Sequence, residues 1–76
     1  MFKTLINKIR FNRDCRKVSD LHDIVLDNKC WARTDVRLSG HVYDCHANAI
    51  ADAQNAIAAL ASKWNADAET MRLKGI

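Results

Sequence analysis

Helix-breaking residues are scarce in this 76-residue sequence, which has no proline and only two glycines, Gly40 and Gly75. Because proline and glycine interrupt helices most strongly, their scarcity argues against a fold rich in loops. Alanine, leucine, isoleucine and charged residues are common instead, and they favour long helices. No apolar run approaches the roughly 20 residues that cross a bilayer, so a membrane-spanning helix is not expected.

Cysteine is also infrequent, with Cys15, Cys30 and Cys45 as its only occurrences. An odd number of cysteines without a secretory signal is typical of reduced thiols in a cytosol, so we expect a cytoplasmic protein without a structural disulfide. No two cysteines are closer than fifteen residues, whereas structural zinc sites generally use close cysteine pairs. We predict no metal ion and no other cofactor.

Residue types suited to nucleophilic catalysis occur together only around His41, Asp44, Cys45 and His46. Such catalysis requires a thiolate with a base positioned beside it. Adjacent helical residues such as Cys45 and His46 point about 100° apart, and a chain this short offers little concave volume for a substrate. The sequence therefore predicts that the protein is not an enzyme.

Charge is distributed unevenly along the chain. Residues 1–17 carry six lysines and arginines against the single acid Asp14, a net charge of +5, and the remaining residues have a net charge of −2. We interpret 1–17 as a basic amphipathic arm of one small helical domain that spans 1–76. A basic segment on a mildly acidic body is typical of a surface for an anionic partner.

The N-terminal half predicts two short helices. In the first, four apolar residues recur at helical spacing between basic residues: Phe2, Leu5, Ile6 and Ile9. The second helix is predicted over about 14–28 from a similar apolar stripe. Between residues 31 and 43 the pattern is ambiguous, because apolar residues alternate over 31–38 as in a short β-strand. An irregular connector, or a helical turn that ends at Gly40, fits that segment equally well.

A long C-terminal amphipathic helix is predicted over 44–73. Asp44 is suited to cap its start, and Arg72, Lys74 and Gly75 are typical of a helix end. Its length would be roughly 40 to 45 Å, more than a compact domain of this size spans, so it should overhang. Its apolar face would form the core of an antiparallel hairpin or a homodimer interface, and a homo-oligomer is expected. That face includes Ile50, Ile57, Leu60 and Trp64.

Seven residues are predicted to contact a partner, because arginine and aromatic side chains dominate interfaces and cations bind phosphate. They are Arg10, Arg13, Arg16, Lys17, Trp31, Arg33 and Arg37. If residues 31–38 form a strand, Arg33 and Arg37 lie on one side of it together with Trp31. Phe11, among the N-terminal cations, could stack on an exposed base or fill the core between the first two helices.

These patterns predict a mostly α-helical protein that acts by binding rather than by chemistry. The leading hypothesis is a non-enzymatic regulator, of the inhibitor or adaptor type, that binds a larger protein or a protein–nucleic-acid complex stoichiometrically. Direct binding of RNA or DNA is the first alternative. Attachment of residues 2–10 to a membrane surface is a second and weaker one, because the apolar stripe has only two turns.

Overall fold

The computed structural model describes residues 2–76, with side chains from Lys3 onward, and this part of the chain is helical throughout apart from its connections. It contains α1 (Phe2–Ser39), α2 (Asp44–Lys63) and α3 (Ala68–Lys74). The prediction of a mostly α-helical fold is confirmed. The predicted arrangement of two short helices followed by a long one is wrong, because the first helix is the longest.

α1 is continuous because its 38 residues include neither proline nor glycine. The two predicted N-terminal helices are one helix, and the β element predicted near 31–43 is absent, since α1 extends to Ser39. The apolar alternation over 31–38 is too short to override the helix formers around it. Gly40 ends the helix with φ +82°, and its N–H donates to the carbonyl of Val36 at 2.9 Å.

α1 and α2 form an antiparallel hairpin. Near the loop, His46 Nδ1 lies 2.5 Å from Asp35 Oδ2, and at the far end Lys63 Nζ donates to Asp14 Oδ2 at 2.9 Å. α2 begins after Tyr43, whose backbone N–H donates to Asp35 Oδ2 at 3.2 Å. Asp44 therefore lies in the first helical turn and is not the N-cap that the sequence predicts.

The side of α1 that α2 and α3 cover follows a heptad spacing, and we call it the seam. Its residues are separated alternately by three and four positions, as in a coiled coil, and all are buried or half-buried. They are Phe11, Asp14, Val18, Leu21, Val25, Asn28, Ala32 and Asp35. Two carboxylates thus belong to an otherwise mainly apolar seam.

The helix predicted over 44–73 is broken between Lys63 and Ala68. Asn65 has φ 47°, a left-handed conformation that asparagine tolerates better than most residues. Asp67 then caps α3 by accepting a hydrogen bond from the Thr70 backbone N–H at 3.1 Å. As predicted from the sequence, the last turn carries Arg72 and Lys74.

The break lets α3 return to the apolar part of α1. A straight continuation of α2 would run beside Thr4 and Asn7, which extend the heptad spacing of the seam toward the N-terminus with polar residues. Instead, Met71 of α3 is fully buried with Cys15 and Val18 of α1. Packing of α3 against α1 therefore stabilises the bend between α2 and α3.

The overhanging helix is α1 and not the C-terminal helix of the prediction. At 1.5 Å per residue, α1 is about 57 Å long, and the longest dimension of the molecule is 56 Å. The radius of gyration is 15.3 Å, against about 11 Å for a compact chain of this length. Residues 3–10 extend beyond the part of α1 that α2 and α3 cover, and we call them the projecting segment.

Gly75 allows the end of α3 to approach α1 closely, which gives a testable prediction. A Cβ atom at residue 75 would lie 2.6 Å from the carbonyl carbon of Cys15 and 3.0 Å from the Arg16 nitrogen. Gly75→Ala should therefore displace α3 and cost about 1 to 3 kcal/mol. In this variant the exchange rate of the Met71 backbone amide should rise more than the exchange rates of the α2 amides. Ile76→Ala, at an exposed residue, should leave the exchange rates of Met71 and α2 unchanged.

Candidate interaction site

The projecting segment exposes a cluster of large aliphatic side chains. Leu5, Ile6 and Ile9 are 58%, 41% and 60% exposed. They follow one another at helical spacing, and they lie on the side of α1 that faces away from the seam. The intramolecular core therefore does not use them, and they are an apolar surface in water.

Cations surround this apolar cluster. Lys3, Lys8 and Arg10 flank it within the projecting segment, and all three are exposed. Arg13 and Arg16 continue the same side of α1 and line a surface cleft together with Ile9 and Asn12. Four predicted partner-binding residues therefore lie together at one end of the molecule, on or beside this surface: Arg10, Arg13, Arg16 and Lys17.

Asp14 is the one acid among residues 1–17, and only 1% of it is exposed. It therefore adds no negative charge to the exposed face that carries these cations. Its Oδ2 accepts hydrogen bonds from Lys63 Nζ at 2.9 Å and from Trp64 Nε1 at 2.8 Å. Its Oδ1 has no hydrogen bond and lies 3.7 Å from Arg13 Nε and 4.0 Å from Lys17 Nζ. The Lys63 and Trp64 hydrogen bonds lower the pKa of Asp14, against the opposing effect of burial.

Phe11 is not available as a base-stacking residue. Its ring packs edge-on against Trp64, with centroids 5.3 Å apart and planes at 74°. Lys74 Nζ lies 5.3 Å from the centroid of the Phe11 ring. Of the two roles that the sequence left open for Phe11, packing in the core is the one that the structure shows, between α1 and the end of α2.

Trp31, Arg33 and Arg37 lie at the opposite end of α1, roughly 30 to 40 Å from Arg10 along the helix. In the helix, Arg33 and Arg37 are four residues apart and share a side, as predicted, but Trp31 points about 160° away from Arg33, so its predicted place on that side is wrong. Trp31 is 58% exposed and stacks on His46, with centroids 6.1 Å apart. The seven predicted partner-binding residues therefore form two separate groups.

The apolar face of the predicted C-terminal helix lies largely inside the molecule. Ile57, Leu60 and Trp64 pack against the buried cluster of Cys15, Val18 and Met71. Ile50 is half-buried farther along α2. Of the two uses that the sequence left open for this face, packing within the chain is the one that the structure shows for Ile57, Leu60 and Trp64.

The three cysteines differ in their exposure. Cys15 is buried, and burial raises the pKa of its thiol, while Cys30 and Cys45 are exposed. Within the described residues, no three His, Cys, Asp or Glu side chains are placed to hold a metal ion. No helix of this part of the chain is long and apolar enough to span a membrane.

Comparison with known proteins adds no functional information. No protein-family model matches the chain, and neither a curated protein nor a solved structure is similar to it.

Proposed function

We propose that this protein is a non-enzymatic regulatory binding protein that docks the projecting segment of α1 on a larger, acidic protein partner. The observation that carries the proposal is the exposure of Leu5, Ile6 and Ile9 on a helix end that α2 and α3 leave uncovered. A helix that lays such a stripe into a partner's groove is a recurring mode of protein recognition.

The residues of the projecting segment define the chemistry of the partner. Its aliphatic side chains require an apolar groove, and the cations beside them, Lys3, Lys8 and Arg10, require carboxylates at the rim of that groove. The apolar contacts would supply most of the affinity, and the charges would orient the helix and accelerate association. An inhibitor or adaptor that acts stoichiometrically needs no more than this.

Two alternatives share part of this chemistry. The concentration of cations in residues 3–17 would also suit the phosphates of RNA or DNA. However, aliphatic side chains have no flat face for a base, and Phe11 is packed on Trp64. An anionic membrane surface would accept both the cations and Leu5, Ile6 and Ile9, but this stripe has only two turns.

Site-specific photo-crosslinking tests the proposal. A photoreactive amino acid at Ile6, introduced in the protein's host cells, should yield an adduct with one discrete protein, and the same group at Asn48 on α2 should not. Leu5→Glu with Ile9→Glu should reduce that adduct at least about tenfold, because two carboxylates would face an acidic groove. The matched control is Leu38→Glu with Leu73→Glu, which adds the same charge at two exposed leucines and should leave the adduct unchanged.

The other outcomes are distinguishable. An adduct that nuclease removes would replace the proposal with nucleic-acid binding, and an adduct with lipid would replace it with membrane attachment. An adduct that forms equally with the Leu5→Glu, Ile9→Glu variant would show that the apolar stripe is not the contact. An adduct between two copies of this chain, with no adduct to a different protein, would replace the proposal with self-association.

A further inference from the structure

We infer that two copies of this chain associate antiparallel through the side of α1 opposite the seam, which we call the outer face. Its residues have the heptad spacing of the seam and are all exposed. They are Ile6, Ile9, Arg13, Arg16, Asp20, Asp23, Asp27 and Cys30. This inference does not depend on the proposed function, although a partner on the projecting segment would compete with the second copy.

On the outer face, basic residues before residue 18 and acidic residues after it lie at equal distances from it along the chain. Arg13 and Arg16 lie five and two residues before it, and Asp20 and Asp23 lie two and five residues after it. When two such helices run antiparallel with residue 18 at the two-fold axis, Arg13 lies opposite Asp23 and Arg16 lies opposite Asp20. Each pair occurs twice, so the interface centre contains four ion pairs of opposite charge.

Other arrangements bring like charges together. A shift of one heptad in one direction places Asp20 opposite Asp23, and a shift in the other direction places Arg13 opposite Arg16. A parallel dimer in register aligns every charge with its own copy. Because like charges that face one another disfavour a complex, the outer face selects one orientation and one register.

These charges are not satisfied within a single copy. Among the described residues, Arg16, Asp20 and Asp23 form no ion pair. The pKa of Arg72 is raised mainly by its hydrogen bond to Glu69 and to a smaller extent by the charge of Asp23, so Arg72 is already paired with another carboxylate. Arg13 is 60% exposed and approaches only the buried Asp14, at 3.7 Å. The outer face therefore presents charges of both signs that a second copy can pair.

Apolar residues adjoin the ion pairs at both ends of the interface. In the same register, Ile6 lies opposite Cys30, and both are exposed in the single copy. The intervening layer sets Ile9 against Asp27 and adds no favourable contact. Charge therefore selects the register, and the dimer should weaken as salt rises.

A charge exchange tests this interface by sedimentation equilibrium at about 200 µM protein and low salt. Arg13→Asp with Arg16→Asp should make the four central charges of the outer face all acidic, and Asp20→Arg with Asp23→Arg should make the same four all basic. Each variant alone should be monomeric, with a dissociation constant raised at least about tenfold. An equimolar mixture of the two should form a heterodimer, and the chain that carries all four substitutions should again form a homodimer.

The controls separate a surface effect from misfolding. Asp44→Arg with Asp52→Arg makes the same charge change on α2 as the Asp20, Asp23 variant and should leave the homodimer intact. Circular dichroism should show equal helicity for every variant. A monomeric wild type, a homodimer that persists in either charge-reversal variant, or a mixture that fails to associate would each overturn the inference. None of these results affects crosslinking from Ile6 to a different protein.

Discussion

Replacement of Asp14 by alanine should lower the free energy of unfolding by about 2 to 3 kcal/mol. The substitution leaves the Trp64 indole N–H without its acceptor at 2.8 Å, and it removes the carboxylate that holds Lys63 at the end of α2. A chain of this length has a total stability of roughly 4 to 11 kcal/mol, so the loss is a large fraction of it. Urea denaturation followed by circular dichroism measures the change.

Asp52→Ala is the matched control for Asp14→Ala, because Asp52 is also a helical aspartate but is exposed. It should change the free energy of unfolding by no more than about 0.5 kcal/mol. If the two variants were equally stable, the contacts of Asp14 with Lys63 and Trp64 would contribute nothing net to the fold.

The effect of Asp14 should also depend on pH. The Lys63 and Trp64 hydrogen bonds hold the pKa of Asp14 in the folded protein below the ordinary value of 3.8. A lowered pKa stabilises the fold fully above the unfolded-state pKa, and this contribution is lost as the pH falls through the folded-state pKa. The stability difference between wild type and Asp14→Asn should therefore shrink below about pH 4. A difference that stays constant into acid would assign the effect to packing alone.

Met71→Ala should destabilise the protein by about 2 to 4 kcal/mol, because it empties a fully buried position in a very small core. Met71 is 0% exposed and contributes the one buried side chain of α3. Without it, α3 loses its main attachment to Cys15 and Val18. Thermal or urea denaturation should show the loss.

Two further substitutions make the Met71 prediction specific. Leu73→Ala removes a side chain that is 56% exposed on the same helix, and it should change stability by no more than about 0.5 kcal/mol. Met71→Leu conserves volume approximately and should cost less than about 1.5 kcal/mol. A large effect of Leu73→Ala would mean that α3 uses a different face.

The helical character of the chain follows from local properties, and the sequence predicts it. The lack of proline, the position of Gly40 and the cations at the end of α3 are properties of short segments. The heptad spacing that includes Asp14 and Asp35 is also present in the sequence, and it is the signal that could have joined the two predicted N-terminal helices into α1.

The interruption at Asn65 could not be predicted from propensity alone. Residues 44–73 contain neither proline nor glycine, and their apolar stripe is compatible with one straight helix. The choice depends on where Met71 finds apolar neighbours, and those neighbours are on α1, beside Cys15 and Val18. Tertiary packing therefore overrides a locally favourable continuation.

By itself, the sequence determines that the chain is helical and that residues 1–17 are basic, because backbone propensity and charge belong to the residues themselves. The tertiary structure decides which side of α1 is covered. That choice buries Asp14 and Phe11 and leaves Leu5, Ile6 and Ile9 in water. It depends on contacts between residues far apart in the chain, such as Asp14 with Trp64, fifty positions away, and no local pattern specifies those contacts.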